Sequence, residues 1–179
     1  MKAWPFLPML MVCVAAGAAA LSQAGASAPA DDPQWTSREI SDPDFGGTYI
    51  ELNLAGTYVT PPSVANAEPA LVVDCANHKV LKNYFAFGAV LSQHVGGLHR
   101  VELEAYDDDV RRPIIVDELS QDGTSANFSR LELKRMLAAH KVTVRAVELG
   151  GPPFLASFIM PDSTPVFSAC GQDFILKRK

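Results

Sequence analysis

The sequence has few cysteines and lacks the short motifs that identify common catalytic and metal sites. It contains three cysteines in 179 residues, and no two of them form a Cys-x-x-Cys pair of the kind found in structural zinc sites. It has no Gly-x-Ser-x-Gly turn, no glycine-rich phosphate loop and no His-Glu-x-x-His helix. The sequence therefore predicts no catalytic residue, no cofactor and no metal ligand.

Basic residues are also few and scattered, and the chain has a formal net charge of −5. Proteins that bind nucleic acid usually present a basic stripe to the phosphate backbone. The basic tail at residues 177–179 is short, and we interpret it as a solvated terminus. A long apolar run is present at the N-terminus, and no second one follows it. We therefore expect no nucleic-acid partner and no membrane span in the mature chain.

The first 26 residues have the organisation of a secretory signal peptide. A positively charged start is followed by an apolar run over residues 3–21 and then by small residues. Small residues stand at both positions that a signal peptidase reads, so we expect cleavage after Ala26. Cleavage after Ala30 and an uncleaved membrane anchor are the alternatives, and two early prolines weaken the anchor. We expect a periplasmic or secreted protein that starts at Ser27.

Two cysteines, Cys75 and Cys170, remain once the leader is removed. Cysteines in an exported chain are expected to pair, and this bridge closes a loop of 95 positions. The chain-entropy model gives such a bridge about 4 to 5 kcal/mol. His78 follows Cys75 by three positions, so a nucleophile with its base or part of a metal site is the alternative. A catalytic thiol would have to stay reduced in an oxidising compartment, and we predict that His78 is a turn residue.

The distribution of apolar residues predicts a single, mostly β domain. Residues 27–47 are polar and rich in proline and acidic residues, which favours a flexible lead-in. The domain is expected to occupy residues 48–176. At its start Ile50, Leu52 and Leu54 alternate with polar or aromatic residues, the period of a half-buried strand. We predict an antiparallel β-sandwich or strongly curved sheet of about six to eight strands.

One helix is predicted among these strands. Ser129 and Glu132 form a capping box, in which the serine caps the free amides and the glutamate reaches back. Apolar residues at helical spacing extend the predicted helix over residues 129–140 and place one face on the sheet. Residues 161–171 are expected to form a turn or a helix of one to two turns that carries Cys170.

An acidic turn provides a weak candidate for calcium. Asp107, Asp108 and Asp109 follow one another, and Asp117 or Glu118 is a further potential oxygen ligand. The run lacks the alternating spacing and the glycine of a calcium loop. We interpret it as a solvated turn and leave calcium binding open.

Two histidines form a second weak candidate. His94 and His99 lie close together in the sequence, and we expect that they can face each other. No carboxylate stands at motif spacing from either one, so both are interpreted as polar surface residues.

The order of several segments resembles a known family. The segments are the strand ending in "DC", "NHKV", "VELEAYDDD", "SQDGTSANF", "KVTVRAVELGGPPFLASF" and "SACG". Over residues 48–171 the chain resembles small exported bacterial proteins related to the VasI proteins associated with type VI secretion and to invasion-associated locus B envelope proteins. The resemblance implies a mostly β domain with one helix, one disulfide and no cofactor, and it carries no catalytic residues. The closing segment is shorter than in that family, and the type VI role is not transferred.

These observations together predict a non-catalytic protein of the cell envelope. We expect it to bind another envelope or secreted protein through a face or an edge of its sheet. One alternative is a secreted inhibitor of a lytic enzyme or protease. Another is a hydrolase whose site is assembled from residues far apart in the sequence.

Overall fold

The computed structural model describes residues 32–42, 47–92, 94–95, 98–99 and 102–171. The predicted leader with its cleavage after Ala26 and the basic tail at 177–179 lie outside the described residues. In the described part, no helix has the length and apolar character needed to cross a membrane.

Strands dominate the described part of the chain, and two short helices accompany them. The strands are β1 Thr36–Asp42, β2 Gly47–Ala55, β3 Thr57–Thr60, β4 Ala70–Ala76, β5 Lys79–Ala86, β6 His94–Val95, β7 Leu98–His99, β8 Glu102–Asp107, β9 Val110–Leu119, β10 Ser125–Phe128, β11 Lys141–Val147 and β12 Pro153–Ile159. The helices are α1 Arg130–Met136 and α2 Thr164–Cys170.

Ten of these strands form one antiparallel sheet. Its order is β1-β2-β4-β5-β10-β9-β8-β11-β12-β3, while β6 and β7 pair with each other. The end strands β1 and β3 do not pair, so the sheet is not closed. The prediction of a mostly β, antiparallel fold is confirmed. The predicted count of six to eight strands is too low because the edge strands and the two-residue strands carry little apolar alternation.

The sheet curves until its two halves face each other. Phe85 on β5 and Phe158 on β12 are five positions apart in the strand order, yet their ring centroids are 5.3 Å apart. Phe87 and Phe154 meet edge to face, also at 5.3 Å. Between the halves, the pairing of β10 with β9 shifts register at Phe128. The predicted sandwich-like, curved sheet is therefore confirmed.

Apolar side chains on the inward faces of the strands form the core between these halves. On β11, Val142, Val144 and Ala146 are buried and the residues between them are half-buried or exposed. Leu52 and Leu54 on β2 are buried in the same way, whereas Ile50, which the sequence pattern grouped with them, is exposed. Each fully buried side chain of this size contributes about 1.5 to 3 kcal/mol by transfer from water.

Helix α2 closes one end of the sandwich. Cys75 faces the core and forms a disulfide with Cys170 at the end of α2, with their Cα atoms 5.1 Å apart. Gly171 follows at a φ of +83°, and a Cβ atom there would lie 2.6 Å from the carbonyl oxygen of His78. Only glycine fits both requirements without strain. The last described segment is thus held across β4, as predicted.

Helix α1 begins where the sequence indicates. The Ser129 Oγ accepts a hydrogen bond from the Glu132 amide at 3.3 Å, which confirms the predicted cap. The Glu132 carboxylate does not complete the capping box, because it contacts Arg112 and Arg135 instead. The side chain thereby connects the helix to the sheet.

Helix α1 ends earlier than predicted. Its last helical residue is Met136 rather than His140. The Ala139 amide donates to the Met136 carbonyl in a tightened turn, and the His140 amide donates to the Asp108 carboxylate. The predicted last turn is wrong because the His140 amide, which a longer helix would use, donates to Asp108 instead.

Strand β1 lies within the predicted lead-in at residues 27–47. It pairs with β2 along its whole length, from Thr36 opposite Asn53 to Asp42 opposite Gly47. The paired region therefore starts well before the predicted boundary at residue 48. An edge strand with mostly exposed side chains needs no apolar face, so no alternation marked it in the sequence.

Candidate functional site

Four charged residues line up across neighbouring strands on one face of the sheet. The register places Arg38 opposite Glu51, Glu51 opposite Asp74, and Asp74 opposite Lys82. Directly opposed residues in antiparallel strands project from the same face and lie close together. We call Arg38, Glu51, Asp74 and Lys82 the charged row. Its two carboxylates are neighbours, an arrangement that is unfavourable unless something compensates for it.

The charged row lies on the outward face, opposite the core. Leu52 and Val73, which adjoin Glu51 and Asp74 in the chain, point inward and are buried. Glu51 and Asp74 are nevertheless only 7% exposed. Surrounding side chains therefore shield two carboxylates on a face that has no core to cover it.

A cavity of about 440 Å³ opens beside Asp74. We call it the Asp74 pocket and define it by six of its lining residues: Tyr49, Asp74, Lys82, Tyr84, Glu118 and Asn127. Tyr84 is opposite Asn127, and Asn127 is opposite Glu118, so the pocket extends across β5, β10 and β9. Five strands contribute to it, which fixes its walls through sheet pairing.

One oxygen of the Asp74 carboxylate, Oδ1, is buried without a partner in the described part of the chain. Burial and, secondly, the charge of Glu51 raise the pKa of Asp74 to about 6, while Lys82 and Arg38 act in the opposite direction. A buried carboxylate without a donor destabilises the folded state unless a ligand or a proton satisfies it.

The neighbouring carboxylate is satisfied. Glu51 accepts a hydrogen bond from Arg38 Nε at 2.7 Å. The Arg38 side chain is largely exposed, so this pair is open to solvent on one side. Within the charged row, Asp74 is therefore the carboxylate with a buried oxygen that lacks a hydrogen-bond donor among the described residues.

Two tyrosines border the pocket. Burial raises the pKa of Tyr84, and the charges of Asp74 and Glu51 raise it further. Burial and the same two carboxylates also raise the pKa of Tyr49. Both phenols stay protonated near neutral pH. They offer hydroxyl groups and ring faces next to the carboxylate.

Two of the three other buried polar atoms without partners belong to groups that are otherwise bonded, and the third is neutral. Among the described residues, Asp107 Oδ1 accepts no hydrogen bond and Arg112 Nη2 donates none. The other Asp107 oxygen contacts Arg112, and Arg112 also contacts Glu132. Trp35 Nε1 is a neutral donor. Asp74 differs from all of these because it is a carboxylate with no ion pair among the described residues.

The cysteine and histidine that adjoin this site do not form a catalytic pair. Cys75 is bonded to Cys170, so its sulfur is not available as a nucleophile. Asn77 and His78 have φ values of 49° and 57° and form the turn between β4 and β5. His78 is thus a turn residue, as predicted.

The acidic turn uses its carboxylates separately. Asp107 contacts Arg112, and Asp108 accepts hydrogen bonds from the amides of His140 and Lys141 at 3.0 and 2.9 Å. These amides lower the pKa of Asp108. Asp109 is exposed. The described residues contain no group of three or more potential ligands placed to hold a metal ion, so the structure gives the calcium hypothesis no support.

The two histidines lie on the short strands β6 and β7. His94 and His99 are directly opposite each other in the antiparallel register. The backbone register is thus compatible with the two residues facing each other. Their side chains lie outside the described part of the structure.

Sequence reasoning missed Asp74. The available signal was a single acidic residue in the apolar run "LVVDC" at residues 71–75. The alignment with Glu51 depends on the register between β2 and β4, which no local pattern encodes. The site therefore emerges only when the strands are paired.

Comparison with known proteins adds no assignment. No family model, no curated protein sequence and no solved structure matches this chain. The resemblance to VasI-like and invasion-associated locus B-like proteins stays a prediction.

Proposed function

We propose that this chain is a non-catalytic, exported protein of the periplasm or extracellular space that binds another envelope or secreted protein. Binding uses the outward face of β2, β4, β5, β10 and β9 around the Asp74 pocket. One observation carries the proposal: Asp74 is buried on this face and its Oδ1 has no donor among the described residues. Buried polar groups are almost always hydrogen-bonded, and a partner that supplies the donor accounts for this exception.

The disulfide supports the exported part of the proposal. An intramolecular disulfide is more typical of exported proteins than of cytosolic ones, because cytosolic thiols are kept reduced. Cys75 and Cys170 join β4 to the last described helix. The N-terminal pattern that predicts cleavage after Ala26 points to the same compartment.

The lining of the pocket supports binding rather than catalysis. Neither histidine nor cysteine lines it among the described residues. Ser120, which does line it, donates to the Asp122 carboxylate at 2.6 Å and accepts from the Ser125 amide at 2.8 Å. Its hydroxyl is thus used to form the turn before β10. A nucleophile next to a base is the arrangement that nucleophilic catalysis needs, and these contacts do not provide it.

The test compares capture of partners by three forms of the mature protein. Wild type, Asp74→Asn and Asp109→Asn are cross-linked in envelope extracts, and the captured proteins are quantified by mass spectrometry. Asp109→Asn is the matched control: it removes the same charge at an exposed turn position with a φ of 72°, which asparagine adopts readily. The proposal predicts a set of proteins that wild type and the control capture and Asp74→Asn does not.

The affinity of one purified protein from that set for wild type and for both variants is then measured by calorimetry. The expected loss on Asp74→Asn is about tenfold or more in affinity. Equal capture and equal affinity for all three forms would show that this face is not the binding site.

A further inference from the structure

We infer that the Asp74 pocket accepts a cationic side chain of the partner, a lysine ammonium or an arginine guanidinium, with the Asp74 carboxylate as its counter-ion. This inference rests on the proposed function and specifies the chemistry that the partner presents. It rests on three observations: the unsatisfied oxygen of Asp74, the balance of charge around it and the two tyrosine rings.

The unsatisfied oxygen calls for a donor. Asp74 is 7% exposed, its Oδ1 accepts no hydrogen bond, and it lines an open cavity. A cationic donor satisfies the oxygen and also neutralises the buried charge. Hydrogen bonds between ionised partners are about twice as strong as those between neutral groups.

The charge around the pocket favours a cation. Glu51, Asp74 and Glu118 supply three carboxylates, and Arg38 and Lys82 supply two cations. Arg38 is already paired with Glu51 at 2.7 Å. An incoming cation relieves the repulsion between the neighbouring Glu51 and Asp74 carboxylates, whereas a neutral ligand leaves it in place.

The two tyrosines suit the same ligand. Tyr49 and Tyr84 line the pocket on either side of Asp74 in the sheet, one on β2 and one on β5. Aromatic rings attract ammonium and guanidinium groups through their quadrupole. A carboxylate between aromatic side chains is therefore a suitable receptor for a cationic side chain.

Lys82 provides a test of the sign of the ligand charge. It is directly opposite Asp74 in the sheet, yet the Asp74 Oδ1 accepts no hydrogen bond from it. A lysine at the rim repels an incoming cation and attracts an anion. Lys82→Met is therefore expected to raise the affinity for a cationic ligand and to lower the affinity for an anionic one.

The experiment is an NMR titration of the mature protein with defined probes. The probes are a short peptide with one central lysine, the same peptide with that lysine acetylated, the arginine peptide, and a methyl glycoside as a neutral hydroxyl ligand. We expect saturable shifts around Asp74 with the lysine and arginine peptides and none with the acetylated peptide. Asp74→Asn should weaken binding about tenfold or more, Lys82→Met should strengthen it, and Asp109→Asn should not change it.

Several results overturn the inference. Equal binding of the acetylated and unmodified peptides removes the need for charge, and binding of the glycoside alone assigns the pocket to a neutral hydroxyl ligand. Measured well above the pKa of Asp74, so that its carboxylate is ionised in both forms, weaker binding in Lys82→Met contradicts a cationic ligand as well. Unchanged far-UV and near-UV circular dichroism of each variant shows that it is folded.

The inference and the proposed function fail in different ways. If a partner is captured through Asp74 but neither cationic peptide binds, the function stands and the ligand class is wrong. If the peptides bind through Asp74 but no partner depends on it, the cation site stands and the protein-binding function is wrong.

Discussion

Two carboxylates in this fold are equally buried and have opposite surroundings. Glu132 is 6% exposed and contacts both Arg112 and Arg135, whereas Asp74 is 7% exposed and has no ion pair among the described residues. The first joins helix α1 to the sheet. The second lines an open pocket on the outward face. Burial alone therefore does not indicate the role of a carboxylate. The groups that it contacts do.

Arg112, Asp107 and Glu132 form a cluster of ion pairs, which we call the paired cluster, and its contacts indicate a structural role. The Arg112 side chain is 15% exposed and contacts Asp107 at the end of β8 as well as Glu132 on α1. Removing one member of a buried ion pair leaves an uncompensated charge, which is strongly destabilising. At Asp74 the unpaired charge is already present in the folded protein. Substitution at the two places should therefore change stability in opposite directions.

Removing the disulfide should have the largest effect on stability. It also tests the pocket, because Cys75 and Asp74 are adjacent on β4 and face opposite sides. Cys75→Ala and Cys170→Ala should each lower the free energy of unfolding by about 2 to 5 kcal/mol, and the double variant should be little worse. Denaturant unfolding checks this. Where the variants remain folded, their affinity for the lysine peptide should be unchanged. Two free thiols in the unfolded, unreduced mature protein would show that the bond is absent.

Breaking the paired cluster should have the next largest effect. Arg112→Met leaves Asp107 and Glu132 buried with fewer partners, and we expect a loss of about 3 kcal/mol in the free energy of unfolding. The control is Arg111→Met, since Arg111 is largely exposed and its partner Glu104 also has Arg145 within 3.8 Å. Chemical denaturation should show little change for the control. Equal stability of the Arg112 variant and wild type would contradict a structural role for the cluster.

A neutral, satisfied polar group provides a third point of comparison. The Tyr58 hydroxyl on the edge strand β3 donates to the Phe87 carbonyl, and burial raises the pKa of Tyr58 to about 12. Tyr58→Phe leaves that carbonyl without its donor, and we expect a loss of about 1 to 2 kcal/mol. Tyr106→Phe is the control, because the Tyr106 hydroxyl is 3.5 Å from Glu104. Thermal and urea unfolding of both variants measure the difference.

Much of the fold was predictable because its signals are local. Alternation marked Leu52 and Leu54 as core residues, and the serine at 129 marked the start of α1. The pairing of Cys75 with Cys170 followed from their number and the expected compartment. Each of these features depends on a few neighbouring residues or on a count.

The rest depends on contacts that no local pattern contains. Strand β1 has little apolar character, and its existence depends on pairing with β2. The end of α1 depends on Asp108, which approaches from a different turn. The proximity of Glu51 and Asp74 depends on the register of two strands joined through a long loop. The candidate site is made of such non-local contacts, which explains why the sequence did not reveal it.

The last expected effect has the opposite sign and concerns Asp74 itself. Its pKa of about 6 in the folded protein lies above the value of about 3.9 expected for the unfolded chain. Between these values the folded state holds a proton that the unfolded state has lost, so the free energy of unfolding falls as pH rises through this range. Asp74→Asn removes this penalty. It should stabilise the protein by about 1 to 3 kcal/mol above the folded pKa and have little effect near pH 4.

The most direct test of the central claim is the free energy of unfolding of wild type and Asp74→Asn, measured in urea from about pH 4 to about pH 8. A carboxylate kept for binding rather than for stability predicts curves that nearly coincide at the acidic end and separate progressively from about pH 4 to about pH 6, with Asp74→Asn the more stable. If Asp74→Asn is the less stable form at the alkaline end, the carboxylate has a stabilising partner in the folded protein, and the account of the Asp74 pocket is wrong.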